Sequence, residues 1–208
     1  GDVLIQGTIN VSGGDGFVGS GPLVGGRGGP GGFDGGMPGI AGSEPGPGKG
    51  PGAGAVGGKG VYNLPPGGPN GVPDGKPYGS PLLVPLLGGS GGGGIPGNPG
   101  HGGGGGGGAI LIASSTRIQI GDTGAIVSIG GQPYQYGGSS GAIRLVAPII
   151  SGNGSGRLDV GAVSGQGSAG RIRIDTIDRR ELNLEYRPIA ALSVGGFMRV
   201  FPEPTPRL

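Results

Sequence analysis

The chain has 208 residues, of which 61 are glycine, 21 are proline and none is cysteine, and its formal net charge is +2. The absence of cysteine excludes disulfide bonds and thiolate metal sites, and one histidine is a poor basis for a zinc site, so we expect no metal and no cofactor. The chain has no dense run of lysine and arginine with interleaved aromatics, so nucleic-acid binding is not expected. It also has no apolar run of about 18 residues, so no membrane-spanning helix is predicted.

Four segments begin with glycine and continue as an alternating strand. They start at residues 1, 108, 141 and 170, and read GDVLIQ, GAILIA, GAIRLV and GRIRID. Aligned on the glycine, they form two aliphatic columns: Val3, Ile110, Ile143 and Ile172 in one, and Ile5, Ile112, Leu145 and Ile174 in the other. Because strand side chains alternate between two faces, these columns predict one buried face.

Further short aliphatic segments follow each copy and are separated by glycine-rich corners such as residues 121–124 and 152–154. A unit of about 30 residues with two or three short strands is typical of a repeat architecture. We predict an all-β fold: a short parallel β-solenoid-like repeat domain with a long polyproline II-like insertion rich in glycine and proline. A jelly roll or β-sandwich is the alternative, because its short strands have similar spacing.

The insertion is visible from composition, since 43 glycines and 15 prolines lie between residues 13 and 108. Glycine recurs there at nearly every third position, but the phase slips, which argues against a collagen triple helix. The predicted organisation is therefore a first strand region at 1–12, the insertion at 13–107, a β repeat domain at 108–201 with copies near 108, 141 and 170, and a proline-rich tail at 202–208.

The largest apolar cluster of the insertion is residues 81–87. Left exposed, such a cluster is an interaction surface, whereas packing on its own domain would bury it. The first strand begins without a polar cap, and an uncapped strand edge favours completion by another subunit. The predicted assembly interface comprises Leu82, Leu83, Val84, Leu86, Leu87, Val3 and Ile5.

Other residue patterns point to weaker alternatives. Tyr134 and Tyr136 are candidates for stacking on a glycan or on a neighbouring subunit, and Asn10 and Asn153 occupy glycosylation sequons. His101 is the one histidine of the chain, and nothing in the sequence positions a Ser-His-Asp triad around it. The carboxylates of residues 175–185, Asp175 among them, lie beside arginines and are the basis of a polysaccharide-cleaving alternative, although mixed charges are more often a solvated surface. The few threonines form no regular ladder, which disfavours ice binding.

Residues 140–148, Ser-Gly-Ala-Ile-Arg-Leu-Val-Ala-Pro, resemble the repeats of glycine-rich bacterial surface proteins and, more distantly, β-helical haemagglutinin-type adhesins. The resemblance implies an exported, surface-associated protein. We therefore predict a non-enzymatic, secreted or cell-surface structural protein whose identical subunits assemble into a filament, sheath or layer. A surface adhesin or glycan-binding module is the alternative.

Overall fold

The computed structural model describes residues 1–17, 24–39, 43–62, 74–97, 100–132, 136–162 and 167–195. Their regular elements are eleven strands and a 3-10 turn at Ile189–Ala191, with no α-helix in these ranges, which is compatible with a β-rich fold. The strands are β1 Val3–Ile5, β2 Thr8–Asn10, β3 Ala109–Ala113, β4 Arg117–Ile120, β5 Ala125–Val127, β6 Ala142–Val146, β7 Ile149–Gly152, β8 Arg157–Asp159, β9 Arg171–Asp175, β10 Glu185–Arg187 and β11 Leu192–Gly195.

These strands form three sheets in which every strand pairing is parallel. Sheet one has the order β1-β4-β7, sheet two β10-β8-β5-β2, and sheet three β11-β9-β6-β3. Consecutive strands enter different sheets. Glycine-containing corners make some of these turns, as at 121–124 between β4 and β5, whereas others, such as 147–148 between β6 and β7, contain no glycine. The registers of sheet three set Ile110 against Ile143 and Ile143 against Ile172, as the aligned columns predict.

The core lies between the sheets and consists of the inward residues of the alternating strands. Ile118, Ile120, Ile126, Ile143, Leu145, Ile150, Leu158, Ile172 and Ile174 are completely buried there. Because β-branched and leucine side chains pack well on a pleated surface, these positions account for the alternating pattern of the sequence.

The predicted short parallel β-solenoid-like repeat domain is wrong. The strands form three parallel sheets of only three or four strands, and the first predicted copy does not join the other three. Val3 and Ile5 pair with Ile118 and Ile120 in sheet one, because alternation defines a buried face without specifying its sheet. The jelly-roll or sandwich alternative is also wrong, since those folds are built from antiparallel sheets.

The glycine-rich tract is hydrogen-bonded to the strand-bearing part of the chain. The buried segment 102–108 lies at its centre. Successive amides of this segment donate to three neighbouring segments in turn, so that amides three residues apart donate to the same neighbour. Gly102 and Gly105 donate to Phe17 and Gly14, Gly103 and Gly106 to Gly36 and Phe33, and Gly104 and Gly107 to Tyr136 and Ser139. Three residues per turn is the repeat of a polyproline II helix, which has no internal hydrogen bonds and needs such neighbours.

The carbonyls of the same segment accept from three further neighbours, also with a period of three. Gly103 and Gly106 accept from Gly26 and Gly29, Gly104 and Gly107 accept from Gly92 and Gly89, and Gly105 accepts from Gly131. Six extended segments therefore surround 102–108. Each of these backbone bonds satisfies a buried polar group that would otherwise be costly.

A second, smaller core fixes the segment 78–87 on the outer face of sheet three. Tyr62, Leu83 and Ala142 are buried together, with Tyr78, Leu86 and Ala109 packed around them. The rings of Tyr62 and Tyr78 are 4.7 Å apart at 60°, and the Tyr62 hydroxyl donates to the carbonyl of Leu87 at 3.0 Å. The segment thus covers the part of sheet three around Ala109 and Ala142.

Within the described ranges, the search for an apolar helix of bilayer-spanning length finds none.

Candidate assembly interface

The three sheets end at the same side of the core in strands β1, β2 and β3. We call this group of strands the open end, because each of them pairs with one strand only, namely β4, β5 and β6. On their other side, no further strand is present among the described residues. The open end is therefore a row of three parallel strand edges.

Hydrogen-bond alternation shows which backbone groups of β3 point outward. The amide of Ala142 donates to the carbonyl of Gly108, and the amide of Ser114 donates to the carbonyl of Val146. The backbone groups of the even-numbered residues of β3 therefore face β6. In a parallel ladder the groups of successive residues point to opposite sides. The amide and carbonyl of Leu111 consequently face away from β6, into the open edge.

The same argument applies to β1 and β2. Gly121 donates to Ile5, and Ala125 donates to Gly7, which sets the odd-numbered residues of both strands toward their partners. The backbone groups of Leu4 and Thr8 therefore face the open edge. The open side of each edge thus carries backbone donors and acceptors, although on β3 the amide of Ala109 already donates to the carbonyl of Pro30 at 2.8 Å.

The open-end strands contain none of the charged residues or prolines that protect many edge strands, although β1 and β2 are only three residues long, and short strands also limit edge pairing. Natural edge strands are commonly protected by lysine, proline or a bulge. The sequences of β1, β2 and β3 are VLI, TIN and AILIA, without proline and without a charged residue. The open end is chemically suited to accept another parallel strand in each sheet.

Apolar side chains at the open end are only partly covered. Val3, Ile9, Ile110 and Ile112 point toward the core and pack against it, but remain partly buried, whereas their counterparts deeper in the sheets are fully buried. Leu111, on the outer face of β3, is 51% exposed. A further layer of strands would remove this apolar surface from water, which is favourable.

The opposite side of the core ends differently in the three sheets. Sheets two and three end in β10 and β11, whose outer edges have no strand partner in the described part of the chain. In sheet one, the edge of β7 is covered by residues 178–183, since Gly152 donates to Glu181 and Gly154 donates to Asn183. Each sheet is therefore about four chain segments deep.

The residues of the predicted interface are divided between buried and exposed positions. Leu83 is 1% exposed and Ile5 is 5% exposed, so both are core residues of the molecule. Leu82 and Val84 are more than half exposed, while Val3, Leu86 and Leu87 are partly buried. Leu83 has φ of +52°, a conformation uncommon for leucine, which points its side chain inward between two outward neighbours.

The other predicted positions are not brought together. Tyr134 lies outside the described residues, while Tyr136 is partly buried and its carbonyl accepts from Gly104. Asn10 and Asn153 are both exposed, and Asn10 is in the edge strand β2. Asn10 accepts from the amide of Ser12 at 2.9 Å, and the Asn153 side-chain amide donates to Asp122.

Asp175, the carboxylate of the enzymatic alternative, lies in β9 with its side chain 2% exposed. Arg144 and Arg173 contact its two carboxylate oxygens at 3.0 Å and 2.7 Å. Registers place Arg144 beside Arg173 on the outer face of sheet three, so the carboxylate separates two like charges. This arrangement is an internal ion-pair cluster of sheet three.

Sequence reasoning missed β2 and the residues Ile9, Ile110 and Ile112 as parts of the interface. The signal that could have identified them is the absence of charge and proline from three strands that form neighbouring edges. A comparison of the chain with protein-family models, curated proteins and solved structures finds no match.

Proposed function

We propose that the protein is a structural protein whose subunits assemble head to tail through the open end. The single observation that carries this proposal is the set of three parallel edges without charged residues or proline, β1, β2 and β3, on one side of the core. Exposed edges of this kind are templates for pairing with another chain. The partner we infer is a second copy of the same chain.

The opposite side of the molecule is complementary to the open end. All strands are parallel, so β11 of a second copy has the correct direction to pair with β3, and β10 has the correct direction to pair with β2. The segment 178–183 would then lie beside β1. A contact between two different surfaces of identical subunits is heterologous. Such contacts form a ring if the rotation between subunits closes, and otherwise they repeat and produce a filament.

The depth of the sheets predicts the repeat of this filament. Sheets two and three have four strands each. Neighbouring strands are separated by about 4.8 Å, so each subunit adds about 19 Å along the direction of the sheets. We expect this axial repeat in electron micrographs of the assembled protein.

A role outside the cell accords with the resemblance of residues 140–148 to repeats of glycine-rich surface proteins. Asn10, in the edge strand β2, is exposed. A glycan attached there would block the open end sterically. We therefore infer that assembly involves the chain with Asn10 unmodified.

The test replaces Leu111 by proline. Proline removes the amide that faces the open edge and is tolerated where no ladder bond is lost, so the subunit should fold but not pair. Leu111→Val is the matched control, since it changes the side chain and keeps the amide. We expect filaments from the wild type and from Leu111→Val, and monomers from Leu111→Pro, by electron microscopy and analytical ultracentrifugation.

Two results would contradict the proposal. One is a wild-type protein that stays a monodisperse monomer at high concentration. The other is a folded Leu111→Pro variant that forms the same filaments as the wild type. Far-UV circular dichroism and the melting temperature of each variant distinguish loss of pairing from loss of folding.

A further inference from the structure

A polar groove of about 450 Å³ lies on the outer face of sheet one, away from the strand edges of the open end. It crosses β4 and β7 and ends at the covering segment 178–183. Its polar lining includes Arg117, Gln119, Asp122, Ser151, Asn153 and Asn183. The volume is within the range of small-molecule sites, roughly 300–1,000 Å³.

Ser151 is the one fully buried polar side chain of this lining, since it is 6% exposed, whereas the other polar residues are partly or largely exposed. Its hydroxyl has no hydrogen-bond partner among the described residues. A buried polar group without a partner is costly, and such exceptions in a folded chain need an explanation. A ligand hydroxyl in the groove would satisfy it.

The two arginines that line the groove each have an acidic partner within the protein. Arg117 contacts Glu181 at 3.6 Å, and Arg180 contacts Asp178 at 2.6 Å. Asp122 is the other charged group of the lining, and it accepts a hydrogen bond from the Asn153 side-chain amide. The uncharged polar groups are amides and the Ser151 hydroxyl, which both donate and accept hydrogen bonds.

Amide side chains are placed at both ends of the groove. Gln119 is exposed on β4, and its register partner is Ser151 on β7. Asn183 is exposed on the covering segment, next to the backbone of Gly154. Donors and acceptors therefore follow one line across three neighbouring chain segments.

We propose that this groove binds an uncharged, polyhydroxylated ligand of the carbohydrate class, with Ser151, Gln119 and Asn183 as the hydrogen-bonding residues. Sugar hydroxyls match groups that both donate and accept, and an uncharged ligand matches a groove whose ion pairs are internal. Ser151 and Gln119 lie on the face of sheet one, outside the proposed assembly interface, whereas Asn183 belongs to the segment 178–183 that would lie beside β1 of a second copy.

The experiment measures retardation of the purified protein in native gels that contain dextran, xyloglucan or galactomannan, with polygalacturonate as the charged comparison. We expect retardation by at least one neutral polysaccharide and not by polygalacturonate. Ser151→Ala and Gln119→Ala should each weaken that binding by about threefold to tenfold, the loss of one hydrogen bond.

Ser128→Ala is the matched control, because the buried Ser128 hydroxyl donates to the carbonyl of Gly108 at 2.7 Å outside the groove. It should lower the melting temperature and leave binding unchanged, whereas Ser151→Ala should weaken binding without lowering the melting temperature. The proposal is overturned if no neutral polysaccharide retards the protein, or if Ser151→Ala and Gln119→Ala bind as the wild type does. Neither result bears on filament formation.

Discussion

Gly103 and Gly92 approach so closely that a Cβ atom added to Gly103 would lie 2.0 Å from the carbonyl oxygen of Gly92. The two segments are also coupled by hydrogen bonding, since Gly92 donates to the neighbouring Gly104 at 2.9 Å. Glycine is therefore required at Gly103 because of the distance between two backbones. Both backbones are fixed by other hydrogen bonds and have little freedom to move apart.

We expect Gly103→Ala to lower the free energy of unfolding by about 3 kcal/mol or more, because backbone atoms must move to admit the methyl group. Gly14→Ala is the control within the same tract, since its Cβ would lie 3.5 Å from the backbone of Arg27, an ordinary contact. That variant should lose less than about 1 kcal/mol. Urea denaturation followed by circular dichroism measures both, and equal losses would contradict the packing described for segment 102–108.

Asp175 is expected to stabilise sheet three through its two arginine partners. Removing one member of a buried ion-pair cluster leaves uncompensated charge, so Asp175→Ala should lower the free energy of unfolding by about 3–5 kcal/mol. Glu185→Ala removes a pair in which the Arg187 and Glu185 side chains are about half exposed, and should lose less than about 1 kcal/mol. Urea unfolding of the two variants tests this difference, and a similar loss in both would show that burial of Asp175 is not decisive.

Stability should fall in alkali because of Tyr62. Burial raises the pKa of Tyr62 to about 12, and the nearby Arg171 partly opposes that shift. A group whose folded pKa is raised stabilises the fold below its unfolded pKa, so this contribution is present below about pH 10 and is lost as the pH rises toward about 12. Burial also raises the pKa of Tyr78, which acts in the same direction.

Melting temperatures between pH 8 and pH 12 measure this effect. Tyr62→Phe loses the hydrogen bond to Leu87 and should be less stable by about 1 kcal/mol at pH 8. It should lose less stability than the wild type between pH 10 and pH 12, because no phenol has to ionise at that position. Parallel pH profiles for the two proteins would count against burial of the Tyr62 hydroxyl.

Leu83 and Leu82 offer the most direct test of the segment 78–87. Leu83→Ala should cost about 2–4 kcal/mol, since the truncation leaves a cavity between Tyr62 and Ala142. Leu82→Ala, at a position 51% exposed, should change the free energy of unfolding by less than about 0.5 kcal/mol. The reverse order in chemical denaturation would mean that Leu82 is the buried residue of the pair.

The local pattern of the sequence predicts the strands of sheet three well, and the reason is physical. In β3, β6 and β9, inward residues alternate with outward residues, and the aligned columns match the registers. The same alternation in β1 does not reveal that its partner is β4, because the choice of sheet depends on corners and on contacts distant in sequence. Residues 181–184 form no strand, although they alternate polar and leucine residues, and β10 begins at Glu185.

The neighbours of segment 102–108 could not be predicted from composition. Glycine content indicates that backbones can approach closely, but it does not say which backbones do so. Six segments from residue 11 to residue 139 surround this one, and their order is set by long-range hydrogen bonds. The candidate interface was only partly predicted for the same reason, since three strands distant in sequence become neighbouring edges only in the folded chain.

The threefold periodicity of segment 102–108 also limits which insertions and deletions the segment can tolerate. Deleting a single glycine would rotate all later residues of the segment by a third of a turn, and each amide would then face a neighbour that already has a partner. Insertions and deletions of three residues preserve the phase, whereas those of one or two do not. We therefore expect length variation in this segment to occur in multiples of three codons, and other length changes to be confined to the connecting turns.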